Sequence, residues 1–348
     1  MKPRYRIFVK LGHGESSTVW MARDIVEDRW VAIKICQGSE LSAKSREVAL
    51  LVEIRDGCQS EPSRDHIVEL RDSFIIKGPN GLHQCIVTEV VAPLTDHWVK
   101  DKRPFSSARQ VAQAFSLLHQ QGITHGDPCL EHLGAALPQI SGVDEEQVSC
   151  DFPDEELIPV VPRQLGFPMK TVPAYAVRKD SLALFLKQQE LLPKYWELQI
   201  KVLGFGKGNM YSVATGDPIS TWSHEDEHIV RCLELGGPPI EAWLDLAKPK
   251  MDLWAGFYSA DRDKTWQKLA AKPDFQGEER QALLDLLKKM LVSDPKGRIS
   301  MAEVMAHPFC AREWPSEKPA PSEEPLVPET EKEATPVKLI FGWDDEEE

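Results

Sequence analysis

Short apolar runs with a strand-like pattern fill most of residues 1–91. Residues 5–11 and 17–22 lie on either side of a glycine turn, and Val31-Ala32-Ile33-Lys34-Ile35 is a third β-rich run. The period changes over residues 42–54, where Val48, Leu51 and Val52 fall at i, i+3 and i+4 and predict a helix. Phe74-Ile75-Ile76 and Cys85-Ile86-Val87 then flank Asn80-Gly81, a hairpin signal, because tight hairpin turns favour residues that tolerate positive φ. The predicted order is three strands, a helix and two strands.

A helical stripe follows, formed by Val111, Ala114, Phe115 and Leu118 and ended by Gly122. The chain then turns through His125-Gly126-Asp127-Pro128. Residues 138–197 carry many prolines, scattered acids and one clear helix over 180–190, the pattern of a partly ordered insertion. Strand character returns over 198–203, and helical character from Ser223 onward. Leu283, Leu286, Leu287 and Met290 share one helix face, and Ser300-x-x-Glu303 is a capping box that opens a short last helix. Beyond Glu313 the chain becomes Pro-, Glu-, Ser- and Thr-rich, so residues 313–348 are expected to be disordered. There are no internal repeats.

Composition narrows the class. Of 348 residues 42% are hydrophobic, enough for a sizeable core, yet no run approaches the ~20 apolar residues of a membrane span. The first residues lack the apolar stretch of a secretion signal. The formal charge is −14, and residues 311–348 hold 12 acids against 4 bases. The remainder is nearly balanced and has no basic stripe, which argues against a direct nucleic-acid or membrane partner. Seven widely spaced cysteines with no C-x-x-C fit free thiols in a reducing compartment, cytoplasmic or nuclear. Nothing in the pattern specifies an oligomeric state.

The chemistry begins at Gly12-His13-Gly14-Glu15-Ser16-Ser17-Thr18-Val19, between two predicted strands. Glycines let a backbone bend over a ligand and present N–H groups to phosphate oxygens. Lys34 lies among apolar residues on the third strand and needs a partner, because an unpaired buried ammonium is costly. The following helix offers Glu47 and Glu53. Loop, lysine strand and glutamate helix in this order favour a nucleotide site over a merely structural ion pair.

With these motifs the chain resembles the protein kinases, and among them the SR-protein kinases, notably small fungal members. The resemblance covers residues 4–310 with breaks. It rests on Lys10-Leu11-Gly12-x-Gly14-x-x-Ser17-Thr18-Val19-Trp20, on His66-Ile67-Val68-x-Leu70, on Asp72-Ser73-Phe74, and on Gly78-Pro79-Asn80-Gly81-x-His83-x-Cys85-x-Val87-x-Glu89. It implies an α+β, two-lobed kinase-like fold with a reduced C-lobe and an insertion after the catalytic loop. The implied divisions are an N-lobe over 1–91, the first part of the C-lobe over 92–137, the insertion over 138–197, the rest of the C-lobe over 198–312 and an acidic tail over 313–348.

The resemblance also implies an ATP site. Leu11, Gly12, Gly14, Val19 and Ala32 would enclose the nucleotide, and Lys34 would grip the α- and β-phosphates with Glu47 as its partner. Thr88 would back the adenine pocket, with Glu89 and Val91 offering backbone hydrogen bonds to the base. Asp127 sits where the family keeps its catalytic aspartate. The implied partners are ATP and Arg/Ser-rich proteins.

Four departures concern catalysis. The metal-binding asparagine of the catalytic loop is replaced by His132, and the lysine two places after the aspartate by Cys129. The metal-binding D-F-G is replaced by Gly204-Phe205-Gly206, so Mg²⁺ lacks both its usual ligands. Ala214-Thr215-Gly216-Asp217 follows too soon, leaving no counterpart for the activation segment and most of the central helix. The sequence therefore predicts a Ser/Thr protein kinase by descent whose phosphoryl transfer is weak or lost. Its alternative is a pseudokinase, a nucleotide-binding interaction scaffold.

Three further motifs compete for attention. His224-Glu225-Asp226-Glu227-His228 matches the zinc-protease string, but its acidic middle suits a solvated helix start better. Arg298 matches the family's buried arginine, without the glutamate that usually pairs with it. Leu339-Ile340-Phe341-Gly342-Trp343 is a candidate docking peptide in the tail.

Overall fold

The computed structural model describes residues 4–14, 16–39, 46–95, 106–125, 130–152, 157–161, 172–194, 197–204, 233–237, 262–272 and 276–314. Five antiparallel strands form the first sheet: β1 (Tyr5–His13), β2 (Ser17–Asp24), β3 (Arg29–Cys36), β4 (Leu70–Gly78) and β5 (Gly81–Thr88), in the order β1-β2-β3-β5-β4. The helix α1 (Arg46–Gly57) falls between β3 and β4, as the change of period predicts. The β4–β5 hairpin turns at Gly81, whose φ of 112° excludes most side chains. A Cβ at that position would also lie 2.6 Å from the Ser39 carbonyl oxygen.

The sheet buries Ala22, Val31, Ile33, Cys85 and Val87 on one face. Its edge is pinned by Asp24, which takes two hydrogen bonds from the Arg4 guanidinium at 2.8 and 3.0 Å. That pairing holds the Asp24 carboxyl below the usual carboxylate range.

A short strand β6 (Val91–Pro93) leads from the sheet towards the helical part, where α2 (Ser106–Gln120) buries Val111, Ala114 and Leu118 as the stripe predicts. The helix closes at Gly122, φ 69°, with Ile123 N donating to Leu118 O at 2.8 Å. Strand β7 (Leu133–Ala136) pairs antiparallel with β6 and with β10 (Ile200–Val202). The helices α5 (Arg262–Ala270), α6 (Glu278–Met290), α7 (Met301–Ala306) and α8 (Pro308–Ala311) complete this part. The predicted Ser300/Glu303 capping box is present. One apolar cluster runs from Leu51 and Ile54 of α1 through Leu117 and Leu118 of α2 to Leu283 and Leu287 of α6, joining the sheet's helix to the helical lobe.

The insertion is more regular than its prolines suggest. It contains two helices, α3 (Glu145–Asp151) and α4 (Leu182–Gln188), and a hairpin of β8 (Leu157–Pro159) with β9 (Tyr175–Val177). The sequence reading found α4 and missed α3, whose seven residues bury one apolar position, Val148, too few for a periodic signal. Its cap was legible: Asp144 accepts from Gln147 N, and Gln147 Oε1 accepts from Asp144 N. The insertion buries Ile140, Val143, Leu182, Phe185 and Leu186 against Val9, Met21 and Trp30 of the sheet. The Trp30 indole donates to Val143 O at 2.7 Å in the same interface.

Candidate nucleotide-binding cleft

Register places the cleft's lysine. Pairing of Val19 with Lys34, and of Lys34 with Ile86, sets Lys34 in the middle of the sheet, facing α1. Its Nζ donates to Glu47 Oε2 at 2.7 Å, so of the two glutamates α1 offers it is Glu47 that pairs. Both side chains are half-buried, which limits the pair's stabilising value but fixes where the ammonium points.

The cleft beside this pair has a volume of about 480 Å³. Leu11, Gly12, Gly14, Val19, Ala32, Lys34, Glu47, Thr88 and Val91 all line it. The glycine turn is closed by Gly14 N donating to Ser17 O at 2.9 Å. Among the described residues a Cβ built on Gly12 or Gly14 meets no atom within 4 Å, and neither residue has a positive φ. Packing inside the protein therefore does not require glycine at either position.

Glu89 is placed differently from the others. Its carboxylate turns away from the cavity, accepting from Glu69 N at 2.9 Å and pairing with the buried Lys201 at 2.8 Å. Its carbonyl accepts the Thr88 hydroxyl at 3.1 Å. The sequence reading missed Lys179, which comes from the insertion; Glu131 lines the cleft as well, beside His132. No periodicity or motif marks Lys179; only the folded position of the insertion brings it there.

His125, the first residue of the catalytic loop, is buried and bonds Leu203 O through Nε2 at 2.9 Å. Leu203 N donates to His132 O at 2.7 Å, so His132 and Gly204 are linked through adjacent backbone. A Cβ added to Gly204 would lie 3.2 Å from His132 Cδ2, 3.4 Å from its Nε2 and 3.8 Å from Glu47 Oε1. The imidazole thus crowds the space that a side chain at position 204 would enter. Mg²⁺ takes oxygen ligands in near-octahedral geometry. Imidazole and glycine do not supply them, so these two positions do not fit that ion. Among the described residues no three His, Cys, Asp or Glu side chains converge as a metal site.

Asp127, Cys129, Gly206, the stretch after it and the 224–228 string lie outside the described residues, as does the tail from residue 315. Arg298 is exposed and donates to Val292 O at 2.9 Å and Ser293 O at 3.3 Å. It is a surface side chain satisfied by its own loop.

A β-sheet with one helix carrying a lysine–glutamate pair, set on a helical lobe, is the arrangement of a protein kinase domain. The crystal structure of a kinase domain matches it with a TM-score of 0.50 at 15% identity, covering 89% of this chain and 96% of that one. In sequence the similarity is to the SR-protein kinases. SRSF protein kinase 3 of Mus musculus is 41% identical over 98 residues, 28% of this chain and 17% of that protein. Protein kinase dsk1 of Schizosaccharomyces pombe is 35% identical over 135 residues, 36% of this chain and 25% of that protein. The matched stretches are thus a minor part of both relatives. No family model matches the chain.

Proposed function

We propose that the cleft binds ATP and that the chain descends from SR-protein-kinase-like Ser/Thr kinases, with phosphoryl transfer weakened or lost. The observation that carries the second half is that a Cβ at Gly204 would lie 3.2 Å from the His132 ring, at the two positions the resemblance assigns to metal ligands. What supports the first half is the set of lining residues around Lys34 and Glu47, together with two glycines that packing alone does not require.

In this reading Ala32, Val19 and Leu11 enclose the base, Thr88 backs it, and Lys34 faces the phosphates from a position fixed by Glu47. A magnesium ion would bridge and neutralise phosphate charge in an active kinase. Here that contribution is missing, and the protein's own cations must do what they can. Asp127 remains in the sequence as a proton acceptor. Losing one preorganised stabiliser costs roughly 10²–10³ in rate, so two lost ligands take a kinase of about 1–100 s⁻¹ down to about 10⁻²–10⁻⁶ s⁻¹.

The test is transfer of labelled phosphate from ATP to an Arg-Ser repeat peptide, with Asp127→Asn as control. Rates at or below this range are expected. Rapid, Asp127-dependent transfer would overturn the loss of catalysis and leave an active Ser/Thr kinase. With transfer lost, the remaining function is that of a nucleotide-responsive scaffold for protein partners, Arg/Ser-rich proteins first among them, in the cytoplasm or nucleus.

A further inference from the structure

The insertion reaches the mouth of the cleft. Lys10 of β1 holds it at two points: its Nζ donates to Val177 O at 2.8 Å, and its carbonyl accepts from Asp180 N at 3.1 Å. Residue 179 is therefore fixed between two tethered positions, beside the strand that continues into Leu11 and Gly12. Just beyond it, Leu182, Phe185 and Leu186 of α4 are buried against Val9, Met21 and Trp30. This support is a packed apolar interface rather than a loose loop.

Lys179 lines the cleft from that platform. It is exposed, and among the described residues it has no hydrogen bond or ion pair. The cleft's other lysine, Lys34, is already held by Glu47 at 2.7 Å. An arriving polyphosphate would thus meet one cation shared with a carboxylate and one with no described partner to give up. An ammonium on a flexible stem suits a phosphate as a point charge. With histidine at 132 and glycine at 204 in place of the usual metal ligands, a second lysine has phosphate charge left to offset.

We propose that Lys179 is a phosphate-recognising residue, so that the insertion is part of the nucleotide site and is held more firmly when the site is occupied by a nucleoside di- or triphosphate. The inference rests on the nucleotide reading of the cleft and adds a specificity determinant to it. Adenosine makes the useful contrast, because it shares the base and ribose but offers no charge to Lys179.

The test is calorimetric titration of adenosine, ADP and ATP, without divalent metal, into the full chain and into its Lys179→Met and Lys179→Glu variants. An exposed lysine can be replaced without unfolding the protein, and melting curves of the free variants check this. Expected are ADP and ATP affinities about five- to tenfold weaker in Lys179→Met and weaker still in Lys179→Glu, with adenosine unchanged. Hydrogen exchange over residues 175–188 should slow with ATP in the unaltered protein and not in Lys179→Glu. Equal affinities for ATP in all three proteins would overturn the role of Lys179 while leaving nucleotide binding intact. Failure of the unaltered protein to bind either adenosine or ATP would instead overturn the nucleotide reading, and this inference with it.

Discussion

His132 and Gly204 are coupled because a Cβ at 204 would lie 3.2 Å from His132 Cδ2, tighter than ordinary van der Waals contact. Gly204→Asp alone should therefore be overpacked, at a cost of about 1–3 kcal/mol. His132→Asn should relieve it, so the double variant should melt above the Gly204→Asp single. It should also gain magnesium-dependent ATP binding that neither single shows. Additive melting shifts would mean that the two positions do not touch in solution. This coupling was out of reach of the sequence, which displays the two replacements 72 residues apart and gives no sign that one fills the space of the other. Lys34 was legible, because an isolated lysine on an apolar strand demands a partner; the resemblance named Glu47 over Glu53, and Lys34 donates to Glu47 at 2.7 Å.

Asp24 gives a second test at the same scale. Its buried carboxylate is held low first by the Arg4 hydrogen bonds, opposed by burial and helped by Val26 and Glu27 N–H groups. A depressed carboxyl contributes stability that is present above its unfolded pKa of about 3.9 and is lost as pH falls through the lower folded value. Arg4→Met should cost about 2 kcal/mol at pH 7, a gap that narrows below pH 4. Urea titrations across pH 2–7 would measure it. A gap independent of pH would mean that Arg4 acts through packing rather than charge.

Among the elements, the strands and long helices were readable because each has an apolar face of sufficient length: β1 to β5, α2 and α6 fall where the pattern puts them. Of the insertion only α4 was readable, because its other elements are short and their apolar faces become meaningful only against the sheet. The structure turns it from an appendage into a partner of β1 to β3, through Phe185 and the Trp30–Val143 hydrogen bond. Phe185→Ala should cost roughly 3–5 kcal/mol, the range for a fully buried aromatic. A change under 1 kcal/mol in chemical denaturation would show that the insertion does not dock.

The C-terminal boundary is equally testable. Trp314 donates to Phe309 O at 3.0 Å, so Glu313 and Trp314, which the composition assigns to the tail, belong to the folded chain. Removal of residues 315–348 should leave the melting temperature within about a degree, since their composition offers little apolar surface for burial. Removal from residue 313 should lower it. A drop of several degrees for the shorter deletion would point to docking of Ile340, Phe341 and Trp343.

For the whole molecule, the kinase ground plan and the proposed loss of metal ligands at His132 and Gly204 together predict a protein that recognises a nucleotide with its own cations. Two opposed demands meet in the cleft: phosphates carry charge that needs neutralising, and the positions that would bring magnesium to do it are taken by a ring and a bare Cα. Lys34 is the cation the fold itself fixes there. The most direct measurement is the shift in melting temperature with ATP, taken with and without Mg²⁺, for the unaltered chain and for Lys34→Ala. A shift of equal size in both conditions is expected for the unaltered chain, and a clearly smaller one, also independent of Mg²⁺, for Lys34→Ala, which keeps the base pocket and Lys179. A shift that appears only with Mg²⁺ would contradict this expectation, because some other side chain would then be holding the metal.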